Sequence, residues 1–370
     1  MSVEKALKNS SALLNVDLGA IINNYETLAG QAKTAVCAAV VKANAYGLGM
    51  TDVAPAIFHN TRCTTFFVAN LVEAVNLRTA LPNAVIYVFN GLFSDQVETY
   101  KEYNIRPILN DLSQVLLWSG SQEPCAMHFD TGINRLGLSE HEADKFLNSR
   151  HNLYLELVIS HLVRSEEKDH QTNEIQLGKF KKIVEALGDV PASLANSGGI
   201  YLGHEYHFDL VRPGIMLYGG NPGLKPLPAG LKPTFEIKAR ILQIRDVLPG
   251  MSVGYNATWT AEEPTRVALL NVGYADGTLK VSDRKSHVSI HGHLAPVIGK
   301  VSMDMIAVNI SAPEFDKVKV SDFAEILGPN ITLEMASEVS TLGQYELLTG
   351  IGHRYQRRYD KNNKLGAENL

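Results

Sequence analysis

A lysine that could do covalent chemistry stands at the end of an apolar run. Residues 35–41 are apolar and predict a buried strand, and Lys42 follows them directly. Poor solvation of an ammonium group lowers its pKa, so a free amine becomes accessible that can form a Schiff base with an aldehyde cofactor. The structural alternative is a strand-end lysine that extends to water. Tyr46 and two glycines come next, and a tyrosine hydroxyl can donate to a phosphate oxygen.

Four further polar clusters follow, end or lie within predicted strands. They are Asp130-Thr131-Gly132-Ile133-Asn134-Arg135-Leu136-Gly137, Ser160-His161, Ala195-Asn196-Ser197-Gly198-Gly199 and Val211-Arg212-Pro213-Gly214-Ile215. For the first three clusters the structural alternatives are, in the same order, a solvated loop arginine, a strand-end histidine with a purely structural role, and a helix cap. Arg212 lies among apolar residues, and a buried guanidinium needs an acceptor. Ser197 with nearby N–H groups at a helix start could hold a phosphate.

The elements that must position these side chains form an alternating pattern between residues 34 and 219. Strands are predicted at residues 35–43, 65–69, 84–89, 105–109, 125–130, 154–161, 192–195 and 210–218, with helical patterns such as 71–81 and 179–187 between them. Eight such repeats predict an α/β fold with an N-terminal (β/α)8 TIM-like barrel, whose catalytic residues come from the C-terminal ends of the strands. A doubly wound sheet is the alternative, but its glycine-rich dinucleotide fingerprint is absent. A helix is also predicted over residues 18–29, with Asp17 as its N-cap.

A second, mainly β domain is predicted after a Gly/Pro-rich linker at residues 219–228. Its strand candidates are residues 235–247, 266–272, 286–291 and 307–310, and two short helices are expected at 332–339 and 344–348. The predicted domains are therefore residues 1–231, the barrel, and residues 232–370, the β domain.

Composition narrows the function classes. The chain has 370 residues, 45% hydrophobic content and a net charge of −5, which argues against a nucleic-acid partner. It carries neither a secretory h-region nor a membrane-length apolar stretch, so a cytoplasmic, membrane-free protein is expected. The three cysteines are far apart and predict buried free thiols. No metal-ligand spacing occurs, so no metal site is expected.

The lysine segment also resembles a known motif. Residues 40–49 read VVKANAYGLG, which is similar to the pyridoxal-phosphate (PLP) lysine motif of the alanine racemases, VVKANAYGHG, with Leu48 in place of the histidine. The four other clusters resemble motifs of the same family, and residues 273–277 match its GYADG segment. The resemblance runs from Leu14 to about Arg357.

The resemblance implies a function and a role for each site residue. It implies a homodimeric enzyme that interconverts L-alanine and D-alanine, a cell-wall precursor, with two bases, Lys42 and Tyr255, on opposite faces of the substrate. Lys42 would also carry PLP. Tyr46, Ser197, Tyr355 and the backbone of Gly214 and Ile215 would hold the phosphate, Arg212 would face the pyridine nitrogen, and Arg135 would bind the substrate carboxylate. Tyr255, Tyr274 and Met303 would reach the active site of the other subunit, with Tyr274 and Met303 contacting substrate.

A phenol normally titrates near pH 10, so a tyrosine base needs neighbouring positive charge, which the resemblance assigns to His161 and Arg212.

Two positions depart from the family pattern. His128 stands where many members have a carbamylated lysine that braces the carboxylate-binding arginine, so Arg135 needs another acceptor: a bound anion such as chloride, a carboxylate or water. His353 stands where a phosphate-assisting tyrosine is common, with Tyr355 close by. Neither departure touches the two bases.

Three other functions stay open. A broad-specificity amino-acid racemase of the same fold would differ only in its pocket. A fold-related basic amino-acid decarboxylase would need a protonated pyridine ring, which Arg212 disfavours. A non-catalytic PLP-binding carrier would resemble the barrel alone, so the β domain counts against it.

Overall fold

The computed structural model describes residues 10–149, 151–224, 228–277, 286–340 and 342–360. These residues form two compact units. One is Ile21–Lys232, and the other combines the described residues up to Ala20 with those from Pro233 onward. None of the helices in the described ranges has the length and apolar character that a membrane crossing requires.

The Ile21–Lys232 unit is built on parallel strands that follow one another in chain order. Seven of them form one sheet: Ala39–Val40, Thr65–Val68, Val85–Val88, Arg106–Leu109, Pro124–His128, Tyr154–Ile159 and Ala192–Ser193. Leu210–Val211 pairs in parallel with Val36–Cys37, which leads directly into the first strand of that sheet. On its other side Arg212 N donates to Ala195 O at 2.9 Å. The barrel is thereby closed, and the predicted (β/α)8 fold is confirmed.

Helices cover the outside of the barrel strands, which explains why those strands read as continuous apolar runs. The helices are Leu18–Gln31, Met50–Asn60, Leu71–Ala80, Val97–Glu102, Leu112–Trp118, Glu140–Leu147 and Gln171–Leu187. Side-chain caps start several of them: Asp17 accepts from Ala20 N at 2.8 Å, and Asp111 accepts from Gln114 N at 2.9 Å. The helix predicted at residues 179–187 begins earlier, at Gln171.

The second unit contains a closed antiparallel barrel. Its strands, in spatial order, are Thr265–Leu270, Ile306–Asn309, His293–Ile298, His287–Ile290, Phe323–Leu327 and Phe235–Val247, and the last pairs back with the first. Ser252–Val253 and Trp259–Thr260 form a small separate hairpin. The helices are Leu333–Ser340 and Gln344–Thr349. The mainly β character of this unit is as predicted.

One domain expectation needs correction. Residues from the N-terminus were assigned to the barrel, but Ala12–Asp17 is a strand of the β unit. It pairs antiparallel with Phe235–Val247 and parallel with Gln356–Asp360. The physical reason is that its burial comes from partners more than 200 residues away, which no local pattern indicates. Residues 225–227 of the predicted linker lie outside the described ranges.

The three cysteines are free and buried, as predicted. Burial raises the pKa of Cys63 and of Cys125 to about 12, and it raises the pKa of Cys37 as well. Because the thiolate is the reactive form, these thiols are unreactive near neutral pH.

Candidate active site

Lys42 opens a left-handed turn at the C-terminal end of the first barrel strand. The next four residues, Ala43, Asn44, Ala45 and Tyr46, all have positive φ, between 52° and 55°. Left-handed backbone costs roughly 1–2 kcal/mol per non-glycine residue, so surrounding contacts must hold this turn. Strain of this kind is typical of functional sites, where the structure fixes one particular side-chain direction.

Glu73 is the main external support of the turn. Its two carboxylate oxygens accept hydrogen bonds from Ala43 N at 2.6 Å and from Ala69 N at 2.8 Å. Asn44 adds an internal bond, since its Oδ1 accepts from Met50 N at 2.8 Å. Glu73 was not among the predicted site residues. The available signal was its position three residues after Asn70, the spacing of a helix capping box, which does not indicate a bond to Ala43.

The amine of Lys42 has the lowered pKa that its strand-end position predicted. Burial is the largest cause, and the positive charge of Arg135 adds to it, while Glu73 acts in the opposite direction. The Nζ atom lies 5.6 Å from the centroid of the Phe89 ring. A larger fraction of this amine is therefore unprotonated near neutral pH, which is the form that acts as a nucleophile or base.

Tyr46, Ser197 and Gly214 meet at one place in the barrel. A Cβ on residue 214 would lie 2.4 Å from the Tyr46 hydroxyl, so only glycine allows this approach. Ser197 Oγ accepts from Gly214 N at 2.9 Å, and Ile215 begins the 3-10 turn Ile215–Tyr218 directly afterwards. The Tyr46 ring stacks on Tyr218 with a centroid distance of 4.7 Å. The structure thus brings together Tyr46, Ser197, Gly214 and Ile215, four of the residues predicted to hold a phosphate.

Arg212 is buried, and its guanidinium has the hydrogen-bond acceptors that a buried cation needs. Its guanidinium donates to Ser193 Oγ, to Ser160 O at 2.5 Å and to Leu194 O at 3.4 Å. All three partners are uncharged, and Arg212 makes no ion pair within the described residues. Burial lowers its pKa to about 9, which still leaves it protonated at pH 7. An uncompensated cation with remaining donor capacity is suited to a ligand that offers a neutral or negative acceptor.

His161 does not carry the positive charge expected of it. Burial, followed by the charges of Arg212 and Arg135, lowers its pKa well below 6.5, so the imidazole is neutral at pH 7. The charge of Lys42 acts on it too. These couplings place the ends of several barrel strands within electrostatic range of one another. Arg212 is left as the cation expected to act on a tyrosine base.

Arg135 lies in the loop that follows the strand Pro124–His128. The Asp130 carboxylate shapes this loop, since it accepts from Gly132 N at 2.8 Å, Ile133 N at 2.9 Å and Arg135 N at 3.2 Å. The Arg135 side chain is exposed and forms no hydrogen bond to another described residue. It is therefore available to an anionic ligand.

The β unit presents its predicted site residues on short turns. The exposed fractions are 70% for Tyr255, 48% for Tyr274 and 53% for Met303. Tyr274 N donates to Ser302 O and Ala275 N to Met303 O, both at 3.1 Å, so the Tyr274 and Met303 segments lie side by side.

Arg354 connects these two segments through ion pairs. It was not among the predicted site residues. It pairs with Asp276 at 3.2 Å and with Asp304 at 2.8 Å. No local sequence pattern indicates this network, because Asp276, Asp304 and Arg354 are not close together in the chain. Of the two phosphate candidates next to it, Tyr355 is 4% exposed whereas His353 is exposed.

Comparisons with known proteins cover nearly the whole chain. Residues 16–222 match the family model for the alanine racemase N-terminal domain, and residues 234–359 match that for the alanine racemase C-terminal domain. An alanine racemase of Rickettsia canadensis is 42% identical over 95% of this chain and all of its own length. The alanine racemase of Bartonella henselae, solved with covalently bound pyridoxal phosphate, is 37% identical with a TM-score of 0.90, over 95% of this chain and 100% of that one. The Bacillus anthracis alanine racemase with bound L-Ala-P is 27% identical with a TM-score of 0.88, over 96% and 97%.

Proposed function

Because the chain belongs to the alanine racemase family, we propose that it is a PLP-dependent isomerase that interconverts L-alanine and D-alanine. The observation that carries the proposal is the set of electrostatic couplings on one barrel face. The charges of Lys42, Arg135 and Arg212 all act on His161, although the four residues follow four different strands. A carrier protein needs no carboxylate-binding arginine beside its lysine.

The residues present fit PLP. The Lys42 amine has a lowered pKa and can attach to an aldehyde. Gly214 leaves room for the Tyr46 hydroxyl, and with Ser197 and Ile215 these groups offer donors for a phosphate. Arg212 brings a buried charge that has no carboxylate partner in the described part of the chain, as an acceptor nitrogen on the cofactor ring requires. His161 would lie beside the cofactor as a neutral group.

When bound, PLP withdraws electrons from the α-carbon of an attached amino acid and makes its α-proton removable. The Arg135 guanidinium binds the substrate carboxylate and fixes which way the α-carbon faces. Lys42 Nζ holds or delivers the proton on one face, and Tyr255 Oη does so on the other. Arg212 stays protonated and can only donate, so it would leave the ring nitrogen of a bound PLP unprotonated and would restrain the electron withdrawal that decarboxylation and transamination require.

A chiral assay tests this function. Purified protein with added PLP should convert pure L-alanine, and pure D-alanine, into equal amounts of both enantiomers, because enantiomers have equal free energies. Amino acids with larger side chains should react at least about tenfold more slowly, since small pockets discriminate by steric fit. Chromatography on a chiral column measures both, over the nineteen chiral amino acids of the standard twenty.

Each alternative function gives a different result in this assay. Similar rates for many amino acids would indicate a broad-specificity racemase. Release of CO2 would indicate a decarboxylase. PLP binding without any D-amino acid would indicate a carrier and would contradict the proposal.

We further propose a homodimer in which Tyr255, Tyr274 and Met303 of one subunit complete the active site of the other. The resemblance to the family supports this arrangement, and so does the exposure of all three side chains. Exposed aromatic and apolar side chains such as Tyr255, Tyr274 and Met303 are typical of interaction surfaces, and the active site of a partner subunit would bury them.

Subunit mixing tests the shared site. Lys42→Ala and Tyr255→Phe proteins, each nearly inactive, are mixed under conditions that exchange subunits. A mixed dimer has one site with both bases, so we expect about a quarter of the parent activity at full random exchange, since half of the dimers are mixed and each has one intact site. Mass spectrometry of differently tagged subunits verifies exchange. Verified exchange without recovered activity would mean that each site is built within one chain.

The proposed location is the cytoplasm, where the product D-alanine would serve as a cell-wall precursor. Three buried free thiols fit a reducing compartment.

A further inference from the structure

His128 ends the strand Pro124–His128 and is only 6% exposed. Its Nδ1 lies 2.8 Å from Asn110 Oδ1. The amide nitrogen of Asn110 is identified by its own bonds, because it donates to Phe89 O at 2.9 Å and to Ile108 O at 3.0 Å. The atom that faces His128 is therefore the amide oxygen, which can only accept. It follows that Nδ1 of His128 carries a proton.

The other ring nitrogen of His128 is a buried lone pair. Burial, followed by the charge of Arg212, lowers the pKa of His128 to about 4, so the ring holds a single proton at neutral pH. That proton is on Nδ1, which leaves Nε2 as an acceptor. Nε2 is buried and has no hydrogen-bond partner among the described residues. A buried acceptor without a donor is unfavourable, so a donor is expected to fill this position.

The Arg135 loop lies directly against the His128 ring. Leu138 N donates to His128 O at 2.8 Å, so the loop returns alongside the strand end. Gly137 has φ +107°, and a Cβ there would lie 3.0 Å from Cγ and Cδ2 of His128. Arg135 is two residues before this contact, its guanidinium has no hydrogen bond to a described residue, and its charge acts on His128. Among the described residues, the Arg135 guanidinium thus lacks an acceptor and His128 Nε2 lacks a donor, and both belong to the same strand end and loop.

We propose that His128 is a positioning residue for substrate recognition, whose Nε2 accepts a hydrogen bond from the Arg135 guanidinium when a substrate carboxylate is bound. The inference rests on the proposed role of Arg135 as the carboxylate-binding residue. A neutral acceptor orients the guanidinium but does not cancel its charge, so the full charge acts on the substrate. A chloride ion at this position would face the Nε2 lone pair and be repelled, which counts against an anion as the brace.

Kinetics of two His128 variants test the proposal. His128→Phe keeps a ring but removes the acceptor, and it should raise the KM for alanine about tenfold while kcat changes less than about threefold, because one bond to a charged group is lost. His128→Gln keeps a side-chain carbonyl near the Nε2 position and should recover much of the KM. His207→Phe is the matched control: His207 is 4% exposed and its Nε2 lies 2.9 Å from Ile200 O, so its loss should leave KM unchanged.

A double-mutant cycle separates positioning from general damage. In an Arg135→Met background, which has no side-chain N–H donor at this position, His128→Phe should have little further effect on KM, because the bond it removes is already lost. Additive effects of the two substitutions, or a fall in kcat without a change in KM, would overturn the proposal. So would a KM that differs between chloride and a bulky anion at equal ionic strength.

Nitrogen-15 NMR of histidine-labelled protein gives a readout that needs no turnover. The His128 signals, identified by their loss in His128→Gln, should show a proton on Nδ1, and the Nε2 signal should move toward the hydrogen-bonded range when propionate is added. Arg135→Met, which has no side-chain N–H donor, should abolish that movement. A proton found on Nε2 would overturn the proposal. If the propionate response is present but no racemisation is detected, the proposed function fails while the His128–Arg135 contact stands.

Discussion

Lys42→Ala should lose covalent attachment of PLP and reduce racemisation by roughly four orders of magnitude or more. The substitution removes both the amine that attaches the cofactor and one of the two bases, and a positioned base alone contributes about 10²–10⁴-fold. Borohydride reduction of the parent protein should fix PLP to the peptide that contains Lys42, as mass spectrometry can detect. The variant should release PLP on denaturation after the same treatment.

Two controls make this result specific. Lys182→Ala removes an exposed lysine on the helix Gln171–Leu187 and should leave attachment and activity intact. Methylamine added to Lys42→Ala should restore part of the activity, because a small amine can enter the space that the side chain leaves. If PLP were reduced onto a different lysine of the variant and activity were retained, the assignment of Lys42 as the PLP-attaching lysine would be wrong.

The barrel could be predicted because its local signals agree with its global fold. Strands such as Thr65–Val68 and Val85–Val88 are covered on both faces and read as short apolar runs, and the chain visits them in spatial order. The strand Ala12–Asp17 could not be assigned in the same way. Its partners are Phe235–Val247 and Gln356–Asp360, so its place depends on contacts that sequence separation hides.

The site illustrates the same limit at single residues. Lys42 and Arg212 stood out because a charge at the end of an apolar run needs an explanation from chemistry. The left-handed turn did not, because alanine, asparagine and tyrosine all favour other conformations in isolation. That turn depends on tertiary contacts, among them the hydrogen bond from Ala43 N to Glu73, the bond from Met50 N to Asn44 and the space at Gly214. Asn110 was missed for a similar reason, since its role depends on which of its atoms faces His128.

The neutral state of His161 could also not be predicted without the fold. The resemblance to the family implied a positive charge on His161 near the tyrosine base, but the pKa of His161 depends on how deeply its ring is buried and on how many cations surround it. Burial and the nearby Arg212 and Arg135 all disfavour the protonated form. Of the two residues expected to supply positive charge to the tyrosine base, Arg212 is the one that carries it.

Tyr255→Phe should stop removal of the α-proton from one alanine enantiomer and leave removal from the other. The two proposed bases differ in type and act on opposite faces, so losing the phenol oxygen removes only the proton transfer on its own face. In D2O, the variant should exchange the α-proton of one enantiomer at a rate close to the parent's and that of the other about 10²–10⁴-fold more slowly. Proton NMR of recovered alanine, separated by enantiomer, measures both rates.

The control for Tyr255→Phe is Tyr154→Phe, which removes an exposed hydroxyl at the start of a barrel strand, at the end opposite the site. It should exchange both enantiomers like the parent. An equal loss of exchange from both enantiomers in Tyr255→Phe would indicate that one base serves both faces. In that case Lys42 would act alone, and Tyr255 would only hold the substrate in place.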